Sequence, residues 1–164
     1  MPFPRSEVSQ AVERYHELRR RIDAGEESGF GVLAELYTED AVYIDGAWGR
    51  IEGREAIARW LVDSMVGMED WLFPIEFTAI DGDNVVVKWT QILPVKRADG
   101  TPYTQSGYSR LIYAGDGRFS YEEDVYNMVH VLDDIAESGW QPTEAMNFPP
   151  QHPNRDWSIP KRDG

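Results

Sequence analysis

The 164 residues suit one domain around one core, and 41% hydrophobic with 12% aromatic content is ample for that core. Sixteen basic against twenty-nine acidic side chains leave a net charge of −13. That charge argues against nucleic acid and anionic membrane surfaces as partners, and against anionic substrates unless a local basic patch captures them. With no cysteine, disulfides, zinc–thiolate sites and cysteine nucleophiles are excluded.

The start, MPFPRSEVSQ, lacks a basic region followed by an apolar core, so no signal peptide is expected. No apolar run approaches the ~20 residues of a membrane helix. A soluble cytoplasmic protein is the expectation.

Residues 6–24, SEVSQAVERYHELRRRIDA, predict a helix with Ser6 and Glu7 at its start and Gly25 at its end. Val8, Ala11, Val12, Tyr15, Leu18 and Ile22 form its apolar stripe. Residues 29–37 predict a second short helix, AVYID a short strand, and 53–65 a third helix with Ile57, Trp60, Leu61 and Met65 on one face. From about residue 70 the period changes to two. WLFPIEFTAI, NVVVKWTQILPV, PYTQSGYSRLIYA and RFSYEEDVYN predict four strands of an antiparallel meander, joined by turns at DGDN, KRADG and GDG. MVHVLDDIAESGW closes the domain, at about residue 140, as an amphipathic helix. The tail, 141–164, holds five of the ten prolines and is expected to be extended and to pack on the body through Phe148 and Trp157. The order predicts an α+β fold, with helices covering one face of a bent sheet and a small-molecule pocket between them.

One carboxylate stands out. Asp45 lies between Ile44 and Gly46 in an apolar, aromatic run. Asp-Gly is a common turn pair, so it either starts a turn or points into a cavity. Walled by Tyr43 and Trp48, a buried Asp45 would have its pKa raised, which suits a general base. In FSYEEDVYN, alternation puts Ser120, Glu122, Asp124 and Tyr126 on one face and Phe119, Tyr121, Glu123 and Val125 on the other. Were Glu122 and Asp124 both to face inward, one of their pKa values would rise. The three histidines, His16, His130 and His152, show no metal-ligand spacing, and no nucleophile motif or phosphate loop is present.

The run RYHEL, then LYTEDAVYIDGAWG, then IEGREAIARWL, resembles the opening half of steroid Δ5-isomerases. These belong to the nuclear-transport-factor-2-like superfamily of cone-shaped α+β folds, which also holds SnoaL-like polyketide cyclases, limonene epoxide hydrolases and scytalone dehydratases. The resemblance follows the order of elements over residues 6–135 and implies a cofactor-independent enzyme with a hydrophobic pocket. By the isomerase pattern, Asp45 matches the proton-shuttling base and Tyr15 the tyrosine that donates to the substrate oxygen. Ser109 stands where the isomerases keep a second, protonated aspartate. That pattern of carboxylate tuning is itself a standard example. By the epoxide-hydrolase pattern, Tyr43 and Asp124 match the water-positioning tyrosine and a catalytic aspartate. Trp89 and Gln91 replace the arginine and aspartate of that family's relay. Asp124 is also the analogue of the cyclase acid/base.

The expectation is therefore an isomerase, cyclase or dehydratase working next to a carbonyl, with Asp45, Tyr15 and Asp124 catalytic. Tyr43, Trp48, Trp89, Gln91, Ser109, Glu122 and Tyr126 would contact a small hydrophobic ligand. No metal and no cofactor are expected, and a homodimer is. The contrasting class is a ligand-binding module of the same shape without turnover.

Overall fold

The computed structural model describes residues 1–161. Helix α1 spans Arg5–Asp23. It starts one residue before Ser6, because the carbonyl of Pro4 already accepts from the amides of Glu7 and Val8 (3.0 and 3.2 Å). Its buried stripe is Val8, Ala11, Val12, Tyr15 and, unexpectedly, Arg19.

The expected second α-helix is a 3₁₀ helix, Phe30–Leu36. Its apolar residues explain this: Phe30, Leu33 and Leu36 recur every three residues, the repeat of a 3₁₀ turn. Strand β1 therefore begins earlier than AVYID and runs Tyr37–Asp45. It turns at once into β2, Gly49–Glu52, a strand the sequence did not announce. Helix α2 follows over Arg54–Asp63.

The meander is present as β3 (Ile75–Asp81), β4 (Asn84–Lys96), β5 (Pro102–Gly115) and β6 (Arg118–Tyr126). Trp71 to Pro74 precede β3 rather than forming its start, although Leu72 bridges to Ile92. The sheet order is β2-β1-β6-β5-β4-β3, with β1 parallel to β6 and every other pair antiparallel. Helix α3, Met128–Ser138, is capped by Asn127, whose side chain accepts from the amide of Val129 at 3.0 Å, and it ends at the left-handed Gly139 (φ 73°).

Alternation along β6 holds from Tyr121 onward and breaks before it. The pairing of β6 with both neighbours shifts between Phe119 and Tyr121. This irregularity brings Phe119 onto the inner face, where its ring packs edge-on against Tyr15 and Tyr113. Glu122 and Asp124 take the inner face as alternation requires. At Gly107 the absence of a side chain is structural: a Cβ there would sit 2.2 Å from the Trp89 indole, which lies across β5 at this point.

The tail crosses the body, but its anchors differ from the expected Phe148 and Trp157 side chains, which stay 64% and 41% exposed. Backbone groups hold it instead. The amide of Arg50 donates to the Asn154 carbonyl (2.9 Å), and the Arg50 guanidinium donates to the carbonyls of Asp156 and Ser158 (3.1 and 2.7 Å). Gly49 makes room for this crossing, since a Cβ would meet the Asn154 carbonyl at 2.5 Å. Asn147 donates to the Asp63 carbonyl at 2.9 Å. Among the described residues no helix is long and apolar enough to cross a membrane.

Candidate active site

Between the concave face of the sheet and α1, the 3₁₀ helix and α2 lies a cavity of about 150 Å³. Of the ten side chains proposed from sequence, nine are on its wall: Tyr15, Tyr43, Asp45, Trp48, Trp89, Gln91, Ser109, Asp124 and Tyr126. Glu122 is the exception, fully buried behind that wall. Pro149 of the tail and Met128 at the start of α3 complete the rim.

Asp45 turns out to serve both as turn residue and as cavity group. Its Oδ1 accepts from the amides of Ala47 and Trp48 (2.8 and 2.9 Å), which builds the β1–β2 turn. The same oxygen accepts from the Tyr126 hydroxyl at 2.8 Å. All three hydrogen bonds fall on Oδ1, which leaves Oδ2 without a protein donor among the described residues. Burial raises the pKa of Asp45, and these three donors pull it back toward the charged form.

Asp124 sits in different surroundings. Ser109, directly opposite it on β5, donates to Oδ1 at 2.6 Å, and Tyr43 donates to Oδ2 at 2.6 Å. Ser109 in turn accepts from the Trp89 indole at 2.9 Å. Burial, then the nearby Glu122 and Asp45 charges, push the pKa of Asp124 well above the ordinary carboxylate range. Like charges crowded in a low-dielectric interior disfavour one another's ionisation, which favours the protonated form of Asp124.

Glu122 is also raised by burial, but hydrogen bonds and a cation oppose the shift. Tyr37 donates to its Oε2 and Tyr15 to its Oε1, the latter at 3.3 Å. Arg19 stands behind Tyr15, donating to its hydroxyl oxygen at 2.7 Å and to the Phe73 carbonyl at 2.9 Å. Arg19, Tyr15 and Glu122 thus form one buried chain, with a guanidinium at one end and a carboxyl at the other. The Tyr15 proton is engaged within this chain.

Arg19 and Tyr37 were missed from sequence. Arg19 follows Tyr15 by four residues, so it continues the apolar stripe, and that spacing was a usable signal. Tyr37 was hidden by the helix assigned over it. Among the described residues no group of three His, Cys, Asp or Glu side chains is placed to hold a metal ion.

An open six-stranded sheet curled over a buried cavity, with helices closing it, is the nuclear-transport-factor-2-like architecture. The chain matches the SnoaL-like domain over residues 13–122 and belongs to that family. None of the curated proteins matches it in sequence. Solved structures do. A protein assigned as a SnoaL-like polyketide cyclase from Jannaschia sp. CCS1 is 17% identical with a TM-score of 0.62, covering 80% of this chain and 92% of its own. A protein of ketosteroid-isomerase-like fold from Catenulispora acidiphila DSM 44928, in complex with trimethylamine, is 21% identical with a TM-score of 0.60, covering 80% and 97%. An LEH-like epoxide hydrolase from M. tuberculosis is 20% identical with a TM-score of 0.57, covering 81% and 92%. At these identities the likeness shows the fold.

Proposed function

We propose that the protein is an acid/base enzyme that moves a proton next to the carbonyl of a small hydrophobic molecule, with no cofactor. The observation that carries this reading is the contrast between two carboxyls on one cavity wall. Asp45 has an unengaged oxygen and donors that favour its charged form. Asp124 has both oxygens taken by Ser109 and Tyr43, and burial with the Glu122 and Asp45 charges beside it disfavours its charged form. Two carboxyls pushed apart in this way are suited to opposite roles, base and acid. Asp45 Oδ2 takes a proton from the carbon next to the carbonyl. Asp124 gives a proton to the oxygen, or to a leaving hydroxyl. Isomerisation, cyclisation and dehydration all begin with these steps.

The remaining residues support the pair. Tyr43 and Ser109 hold Asp124, and Tyr126 holds Asp45. Tyr37, Arg19 and Tyr15 favour the charged form of Glu122 against its burial, and that charge, after burial, favours a protonated Asp124. Trp48, Trp89 and Gln91 shape the wall. The assignment to polyketide-cyclase chemistry of a fold relative is consistent with this reading, as is the bound small molecule of another.

We further read the protein as a homodimer formed through the outer sheet face. Phe77, Lys88, Tyr108 and Val125 stand in register across β3, β4, β5 and β6, and Phe77, Tyr108 and Val125 are exposed. A row of exposed apolar side chains of this kind marks an interaction surface.

The function is tested by incubating the protein with enolisable ketones in heavy water and following loss of the α-proton signal by NMR. Catalysed exchange above the buffer rate is expected. Tight ligand binding with no exchange across the set would replace the enzyme by a binding module.

A further inference from the structure

A buried cavity needs a way in, and the tail lies across one side of it. Pro149 lines the cavity. Asn147 and Phe148 line a shallow surface groove together with Trp48 and Trp60, two residues that line the cavity as well. Residues 147–149 therefore run over the outer side of these two indoles. Trp48 belongs to the β1–β2 turn and Trp60 to α2, so the tail bridges the gap between those two elements.

The bridge is fastened at its two ends. Near α2, Asn147 donates to the Asp63 carbonyl at 2.9 Å, and Gly67 leaves room for Thr143 and Met146, which a Cβ would approach to 3.0 and 3.3 Å. At β2, the amide of Arg50 donates to the Asn154 carbonyl and its guanidinium to those of Asp156 and Ser158. The Arg50 side chain is only 7% exposed beneath this crossing. Between the two fastenings, residues 148–153 make no hydrogen bond to the body among the described residues. Three of the six, Pro149, Pro150 and Pro153, have no N–H to leave unpaired, and all of the six except Pro149 and Pro153 are exposed. Most of the remaining wall comes from α1, the 3₁₀ helix, α2 and the sheet, whose backbones are hydrogen-bonded along their length.

We propose that residues 148–153 are a strap that closes the mouth of the cavity, with Arg50 as its latch, and that ligand enters and leaves when the strap lifts. The proposal goes beyond the proton-transfer reading and holds whether the protein turns its ligand over or only binds it. Lifting breaks the fastenings at one end and uncovers Pro149. It breaks no strand pairing and no helix, so it needs far less free energy than unfolding. A second route would pass between Phe30, Leu61, Met65 and Met68, which line both the cavity and a neighbouring groove. These four side chains belong to the core or pack against it, so that route has to displace core packing.

The chain has no cysteine, so a single introduced thiol reports on its own position. Ser64 lines the cavity and is 8% exposed. In the full chain, Ser64→Cys is treated with methyl methanethiosulfonate and its labelling is followed by mass spectrometry. A second reporter, Ala11→Cys, stands in the core on α1, 3% exposed, and reads loosening of the whole fold. Adding Arg50→Ala should speed labelling of Ser64→Cys by at least about tenfold, the effect of losing a charge-assisted hydrogen bond, and leave Ala11→Cys unchanged. Asn147→Ala, which releases the other end, should speed it about three- to tenfold. If neither variant changes the rate at Ser64→Cys, or if that thiol is already labelled as fast as a free one with the strap intact, the strap does not close the cavity. Equal acceleration at both reporters would also overturn the proposal, because the fold and not the strap would then have opened. Acceleration by Met68→Ala but not by Arg50→Ala would put the entrance at the neighbouring groove. No ligand has to be known and no turnover is read, so these outcomes bear on the strap alone.

Discussion

Replacing Asp45 by Asn separates the base from the turn. The turn and Tyr126 use only Oδ1, through bonds of 2.8, 2.9 and 2.8 Å, and an amide oxygen can accept all three. What changes is Oδ2, which becomes an NH₂ with no basicity. Burial raises the pKa of Asp45, so its ionised form is held against a desolvation cost that Asn does not carry. The variant should therefore keep its stability to within about 1 kcal/mol. Turnover should fall by at least ~10²-fold, or about 2.7 kcal/mol of barrier, the contribution of a general base. The assay is α-proton exchange on one ketone, read as kcat and KM separately, beside a melting curve. A fall in kcat with KM nearly constant and Tm unchanged supports the base. If kcat stays within about threefold of wild type, Asp45 is a turn residue only. If kcat and Tm fall together, the effect belongs to the fold.

Three further outcomes follow from the same geometry. The folded pKa of Asp124 is raised above its unfolded value, so its contribution to stability is complete below the unfolded pKa and is lost as pH rises through the folded one. Asp124→Asn should therefore flatten the fall of Tm as pH rises above the ordinary carboxylate range and remove the alkaline limb of the rate profile; an unchanged profile would place the acid elsewhere. Arg50→Ala removes the donors to the Asp156 and Ser158 carbonyls, so limited proteolysis within the tail should quicken while the core melts within a few degrees of wild type, and an equally resistant tail would show that other contacts hold it. Tyr108→Glu, at the centre of the exposed row, should shift sedimentation from dimer to monomer with no loss of fold; a wild type that sediments as a monomer at micromolar concentration would refute the outer-face dimer.

Much of the molecule was legible because two signals agreed along the chain. The meander announced itself by period-two patterning bounded by Asp-Gly turns, and α1 and α3 by apolar stripes with suitable caps. Where the two signals disagreed, reading failed. Phe30, Leu33 and Leu36 look like one face of an α-helix until the three-residue spacing is weighed against the four-residue one. Strand β2 is only four residues long, too short for a pattern. Phe119 changed face because a local irregularity breaks alternation, and irregularities leave no mark in hydropathy. At the site, the cavity walls followed from the family resemblance, helped by the stripe of α1 and the alternation along β6. The partnership of each acid did not, because Tyr15, Tyr37, Tyr43 and Glu122 are brought together by three elements far apart in sequence.

That partnership explains how the cavity region holds three buried carboxyls beside the one guanidinium of Arg19 among the described residues. Burying a lone charge is far more costly than burying a hydrogen-bonded one, so each acid is matched to a different kind of relief. Glu122 takes tyrosine hydroxyls, one of them backed by Arg19. Asp45 takes two amides from the turn it creates, together with Tyr126. Asp124 takes two hydroxyls, and its pKa is nevertheless pushed up toward the neutral form. Asp124 lies beside Glu122 and within the field of Asp45, so the relief given to the other two raises its pKa further. A site of this kind cannot be transferred by copying Asp45 and Asp124 alone. Without Glu122 and its Tyr37, Tyr15 and Arg19 support, Asp124 would lose one of the charges that, after burial, push its pKa up, and the two cavity carboxyls would differ less.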